Sequence, residues 1–169
     1  MKVLIDTNVA LDFMSSKEPF ASNAEKVFLL CCSELVDAYI AANSFCDLHY
    51  VLHKCLHDEG QTRSAMTFWL DIVKVAQTTE GDCRNALDSE ITDYEDAVIE
   101  SIARRLGCEY IVTRNLGDFS KSSVPAVSPE TLIQKFILFN SILKNVEETV
   151  SATTSAITNE YHTASRPKK

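Results

Sequence analysis

Glycine and proline are scarce in this chain, four of each among 169 residues, which excludes collagen-like and loop-dominated low-complexity architectures. Long apolar runs are missing too. The longest stretch of aliphatic, aromatic and Cys residues, Val27 to Cys32, falls far short of the roughly 18 residues a membrane-spanning helix needs. Near the N-terminus, Val3-Leu4-Ile5 is interrupted by Asp6, too short for the apolar core of a secretory signal; a cytoplasmic protein with no membrane association is expected. The six cysteines form no C-x-x-C pair and are expected to be reduced core residues. Basic charge is in deficit, with 16 Lys+Arg against 24 Asp+Glu and a net charge of −8. Such a balance repels a polyanion and excludes a generic nucleic-acid coat. It leaves room for an enzyme whose acidic cleft is neutralised by divalent cations.

What is present is a chain that is 46% hydrophobic and 24% charged, enough to bury one ordinary core. Short β-branched or apolar runs at 2–5, 37–41, 72–76, 110–113 and 124–127 alternate with segments of helical periodicity near 9–14, 21–35, 43–57, 61–71, 79–88 and 93–106. A further helix opens at Ser128-Pro129-Glu130. Strands separated by helices require crossovers, so the expected fold is α/β, a mostly parallel central sheet between helical layers. This domain is expected to occupy 1–138. An apolar seam, Phe136, Phe139, Leu143, Val146 and Val150, then leads into a helical tail at 139–169 with a mobile C-terminus.

In an open parallel sheet, ligands collect beyond the carboxyl ends of the strands. Asp6 stands there after the first strand, and Asp118 follows the strand ending at Thr113 through Arg114 and Asn115. Asp47 borders the apolar face of the helix at 43–57, and Asp96 borders that of the helix at 93–106. Three of these acids have a plain structural alternative: an N-cap for Asp6, a solvated charge for Asp47, an Asx turn for Asp118. Thr92 with Glu95 reads as a capping box, and Asp93 and Glu100 point away from the apolar face. A cluster of Asp6, Asp47, Asp96 and Asp118 would repel itself unless it held a cation. Mg2+ or Mn2+ suits oxygen ligands, and the chemistry such a centre supports is phosphodiester hydrolysis.

The stretches Val3-Leu4-Ile5-Asp6-Thr7-Asn8, Asp47 to Leu52, Asp93 to Ala97, and Ile111 to Phe119 with Val127-Ser128-Pro129-Glu130 behind them resemble, in this order and spacing, the PIN-domain ribonucleases. Within that family they are similar to the VapC-type toxins of toxin–antitoxin modules. The resemblance implies a PIN-like α/β/α sandwich and a catalytic set of Asp6, Asp47, Asp96 and Asp118, with Asp6, Asp96 and Asp118 on Mg2+ or Mn2+. Thr7, Asn8, Thr113, Arg114 and Asn115 are the neighbouring polar groups, Arg114 a candidate for holding the scissile phosphate. It also implies an RNA substrate, a homodimer and a cognate antitoxin. Asp47 stands where the family commonly has Glu, and Asn115 where it often has Asp, so Asp47 is expected to reach metal directly or through water. The alternative is a catalytically silent PIN-like module that binds RNA or protein; an aspartyl-phosphate phosphatase is disfavoured by Asn8 where its second acid belongs.

Two other features stand apart from the acids. His49, His53 and His57 recur on one helix side with Cys46, a spacing able to hold Zn2+, yet without a clear companion acid, so a solvated or subunit-contact face is expected. Trp69 and Phe68 are expected to be core or interface.

Overall fold

A computed structural model describes residues 1–15, 18–33 and 35–140. Strand β1 (Lys2–Ile5) buries its last three residues, as an interior strand covered on both faces must. The chain passes from it through Asp6 into α1 (Thr7–Ser15), then α2 (Ala21–Cys32) and β2 (Asp37–Ala41). Helices α3 (Ala42–Leu56) and α4 (Glu59–Ile72) lead to β3 (Lys74–Ala76). Helices α5 (Glu80–Leu87) and α6 (Tyr94–Leu106) lead to β4 (Tyr110–Val112), and β5 (Ala126–Val127) follows. Residues 129–140 are helical.

The five strands form one sheet in the order β3-β2-β1-β4-β5 with every pairing parallel. The α/β expectation holds. Val3 pairs with Ala38 on one side and Tyr110 on the other. The chain winds outward from β1 to β3, then returns to lay β4 against the far side of β1. That reversal between β1 and β4 creates the crevice where α/β sheets place their ligands, and it puts Asp6 at its mouth.

Alternation along β1 divides the core. Leu4 packs with Ile99, Ile102, Ile111 and Phe119 in a cluster that includes the buried face of α6. Elsewhere Phe13, Phe28 and Trp69 meet with ring centroids 4.4 to 5.6 Å apart. Trp69 is only 2% exposed, so it belongs to the core, whereas Phe68 is exposed. Burying a side chain of this size contributes about 1.5–3 kcal/mol.

Helix α3 starts directly from Ala41 with no side-chain cap, because β2 runs into it without a loop; Asn43 accepts from the Thr78 hydroxyl at 2.9 Å and Ser44 is buried. Three local expectations need correction. The cap of α6 is Asp93, accepting from the Glu95 and Asp96 N–H groups, and Thr92 forms no capping box. The complete capping box joins Thr79 and Asp82 at α5. Glu100 is 6% exposed and accepts from the Ser123 hydroxyl, so it does not point outward as expected. Of the cysteines only Cys31 and Cys108 are buried, their thiols pushed up to about 12 and about 11 chiefly by that burial. Cys32, Cys46 and Cys55 are exposed, and all six are free.

Asp82 also accepts from Ser101 and receives both Nε and Nη2 of Arg105, the latter at 2.9 Å. Burial alone would raise its pKa, but Arg105 and Thr79 outweigh burial and hold it at about 2.

The chain divides into one compact unit at Met1–Leu132 and another at Ile133–Lys169. Of the second, the structure describes helical residues 133–140, which include Phe136 and Phe139. Leu143, Val146 and Val150, with nearly all of the expected tail, lie outside the described residues. Among those described, no helix is long and apolar enough to cross a membrane.

Candidate active site

The carboxyl edge of the sheet opens on a cleft of about 370 Å³ lined by Asp6, Thr7, Asn8, Leu11, Asp47, Asp93, Glu95, Asp96, Asn115 and Asp118. The acids arrive from four parts of the chain. Asp6 follows β1 directly, Asp47 sits in the second turn of α3, Asp93, Glu95 and Asp96 stand at the start of α6, and Asp118 lies in the loop after β4. The structure thus brings together all four acids the sequence singled out.

Asp6 is 5% exposed and fixed. Its Oδ2 accepts from Asn8 Nδ2 at 2.6 Å and from Thr113 Oγ1 at 2.7 Å. Asn8 Nδ2 also reaches Thr113 Oγ1 at 3.1 Å, while the N–H groups of Arg114 and Asn115 donate to Asn8 Oδ1 and Thr113 Oγ1. Thr113 is therefore a buried strut behind Asp6 that also ties down the start of the next loop. Burial raises the pKa of Asp6 despite those donors and the charge of Arg114.

Among the described residues no Lys or Arg lines the cleft. Asp96 is pushed up to about 7, first by burial and then by Asp6, Asp93, Asp118 and Glu95. Glu95 is raised by burial and by Asp47, Asp6 and Asp93. Glu95 and Asp93 were given only structural work by the sequence reading. The signal that finds Glu95 is the true cap: with Asp93 rather than Thr92 at that position, Glu95 is freed from a capping box and its side chain lines the cleft.

Arg114 is placed differently from the acids. Its Nε meets Asp12 Oδ2 at 2.9 Å and its guanidinium lies 4.7 Å from the centre of the Phe20 ring. It lines a separate, mainly apolar pocket beside the acidic cleft.

The donor set of the cleft is all oxygen and amide, which suits a hard divalent cation. Thr7 Oγ1 is buried there with no hydrogen-bond partner among the described residues, a polar atom whose desolvation calls for an ion, a water or a ligand. Among the described residues no three His, Cys, Asp or Glu side chains stand close enough to grip an ion by themselves.

The histidines lie apart from this cleft. His49 Nε2 and His53 Nδ1 stand 3.8 and 3.3 Å from Glu59 Oε2, their rings parallel and 6.2 Å apart. Glu59, also held by Arg63, is the companion acid the sequence reading did not find, since it arrives from the start of α4. His57 ends α3 in a left-handed conformation with φ 52°.

A family model of the PIN domain matches residues 2–117. No curated protein matches in a sequence comparison. Among solved structures, a toxin–antitoxin complex from Klebsiella pneumoniae is 23% identical with a TM-score of 0.57, covering 75% of this chain and 97% of that one. VapBC2 from Rickettsia felis, bound to a DNA fragment from its promoter, is 17% identical with a TM-score of 0.58, covering 76% and 98%. VapC20 from Mycobacterium tuberculosis, a Sarcin-Ricin loop cleaving toxin, is 13% identical with a TM-score of 0.52, covering 64% and 86%. At these identities the likeness is one of fold.

Proposed function

Because the chain belongs to the PIN-domain family, we propose that it is a Mg2+- or Mn2+-dependent endoribonuclease that hydrolyses RNA phosphodiester bonds as the VapC-like toxin of a toxin–antitoxin module. The observation that carries this reading is the convergence of Asp6, Asp47, Asp96 and Asp118, joined by Glu95, on one cleft with no Lys or Arg among the described residues that line it. An uncompensated group of this kind costs stability and is kept for what it binds.

Asp6, Asp96 and Asp118 are the residues that would hold the metal, with Asp47, exposed on α3, completing the set directly or through water. Bound there, the metal would lower the pKa of a water and neutralise charge on the phosphodiester. The chain's own residues do the rest. Asn8 and Thr113 fix the Asp6 carboxylate, so its orientation requires no rearrangement when substrate arrives. Thr7 Oγ1 and the Asn115 amide offer hydrogen bonds to a phosphate oxygen or to water. Arg114, turned toward Asp12, adds positive potential near Asp6 that favours an approaching phosphate.

Incubating the purified chain with single-stranded RNA and Mn2+ tests this directly. Cleavage is expected, stopped by EDTA and absent in Asp6→Asn. Cleavage that survives both would overturn the mechanism, and RNA that is bound yet uncut would point to the catalytically silent module instead. An antitoxin partner and a homodimer belong to the same proposal. Co-expression with the protein encoded immediately upstream should yield a complex that no longer cuts RNA, and the free chain should have the mass of a dimer.

A further inference from the structure

Next to the acidic cleft lies a second cavity of about 300 Å³ lined by Asp12, Pro19, Phe20, Asn23, Arg114, Ser128, Pro129 and Glu130. We propose that this pocket receives a single unstacked nucleobase of the RNA strand, laid along the Arg114–Phe20 stack with its exocyclic amine facing Asp12 and Glu130; the inference rests on the ribonuclease reading and adds a base-recognition subsite to it.

Continuity comes first. Helix α1 carries Thr7, Asn8 and Leu11 into the acidic cleft and Asp12, one turn on from Asn8, into the pocket. The segment after β4 does the same, with Asn115 in the cleft and Arg114 in the pocket. A strand whose phosphate lies at the acids therefore has a neighbouring nucleotide within reach of this cavity. The chemistry comes second. Phe20 is 47% exposed, unlike Trp69 and Phe28 in the core, and a planar guanidinium already lies over its ring. Aromatic faces and Arg planes are the surfaces on which proteins stack splayed RNA bases, whose edges are then read by hydrogen bonds. Carboxylates accept from amines of the kind found on cytosine and adenine, and Asn23 can serve either role. Size comes third: the volume sits at the lower end of small-molecule sites, suited to one heterocycle. The Arg114–Asp12 ion pair also fixes the guanidinium plane, so little entropy is lost when a base stacks on it. An apolar peptide side chain would fill the same space but make no use of the carboxylates and amide around it.

Neutral nucleosides test the pocket without metal or cleavage. Saturation-transfer NMR on the full chain in EDTA, with adenosine, cytidine, guanosine and uridine, should show base-proton contacts for the first three and several-fold weaker contacts for uridine, which lacks the amine. Phe20→Leu keeps apolar bulk but removes the aromatic face, and should weaken binding on the order of tenfold; Phe20→Tyr should restore it. Equal binding by Phe20→Leu and the parent chain would overturn the inference, as would uridine bound as well as cytidine. Absence of nucleoside contacts, with a leucine-rich peptide bound instead, would make this a protein-docking pocket and also overturn it. Because no cleavage is measured, failure here leaves the ribonuclease reading standing, and failure of the Mn2+ assay leaves nucleoside binding intact.

Discussion

Two buried aspartates in this molecule have opposite fates. Asp82, 1% exposed, is wrapped by Thr79, Ser101 and Arg105 and held at about 2. Asp6, 5% exposed, accepts from the neutral Asn8 and Thr113 side chains and from the Thr7 and Asn8 backbone, with Arg114 acting on it without a hydrogen bond, and burial raises it. Burial works against the charged form in both; what differs is the partner. A buried carboxylate with a cation in hydrogen-bond contact is held in its charged form, and one met at that range by neutral donors keeps part of the cost of burial, which a bound cation would relieve.

The comparison can be broken at either end. The largest effect is expected on activity from Asp6→Asn. The amide oxygen can still accept from Asn8 and Thr113, so the fold should survive, while RNA cleavage with Mn2+ should fall to background; a melting curve beside the cleavage assay checks both halves. Asp82→Ala should do the reverse, costing about 2 kcal/mol in denaturant unfolding because the α5 capping box and the partly solvated Arg105 pair are lost together, with cleavage retained well below the midpoint. The same pair sets an acid limit. Since the folded pKa of Asp82 lies below its ordinary 3.8, its contribution of about 2 kcal/mol is complete above pH 4 and is lost as pH falls toward 2, which unfolding followed across that range should show and Asp82→Asn should abolish.

Smaller effects sharpen the contrast. Asp96→Asn removes one charge from a self-repelling group, so in EDTA at pH 8 it should stabilise the chain by on the order of 1 kcal/mol, while the rise in melting temperature that Mn2+ gives the parent should disappear. Thr7→Val replaces a hydroxyl that no described residue satisfies. It should leave stability within about 0.5 kcal/mol yet weaken the Mn2+ effect; a marked loss of stability in EDTA would show that Thr7 serves the fold instead.

The acids at strand ends were legible because topology alone places them: once β1 and β4 are parallel neighbours, Asp6 and the loop holding Asp118 share an edge. Asp47 and Asp96 were legible from helical phase. Glu95 was not, since a one-residue error in the cap gave it other work. Asp82 was invisible for a different reason. Its meaning depends on Arg105, 23 residues away on another helix, and no local pattern announces a pair made by tertiary packing. Exposure of Cys32, Cys46 and Cys55 was likewise missed, since their helices are not apolar all round and hydropathy of the residue alone does not give its phase.

The strut from Thr113 to Asp6 joins residues 107 apart, and Asp6 N–H closes on the carbonyl of Val112. Chains are made from the N-terminus at about 5–20 residues per second, and contacts so distant in sequence form late. During translation β1 and β2 can pair while the acid of β1 still has neither its strut nor Asp96 and Asp118 beside it. A growing or prematurely terminated chain therefore carries Asp6 without the other acids of the cleft, and the acidic group is not assembled until the last crossover has emerged.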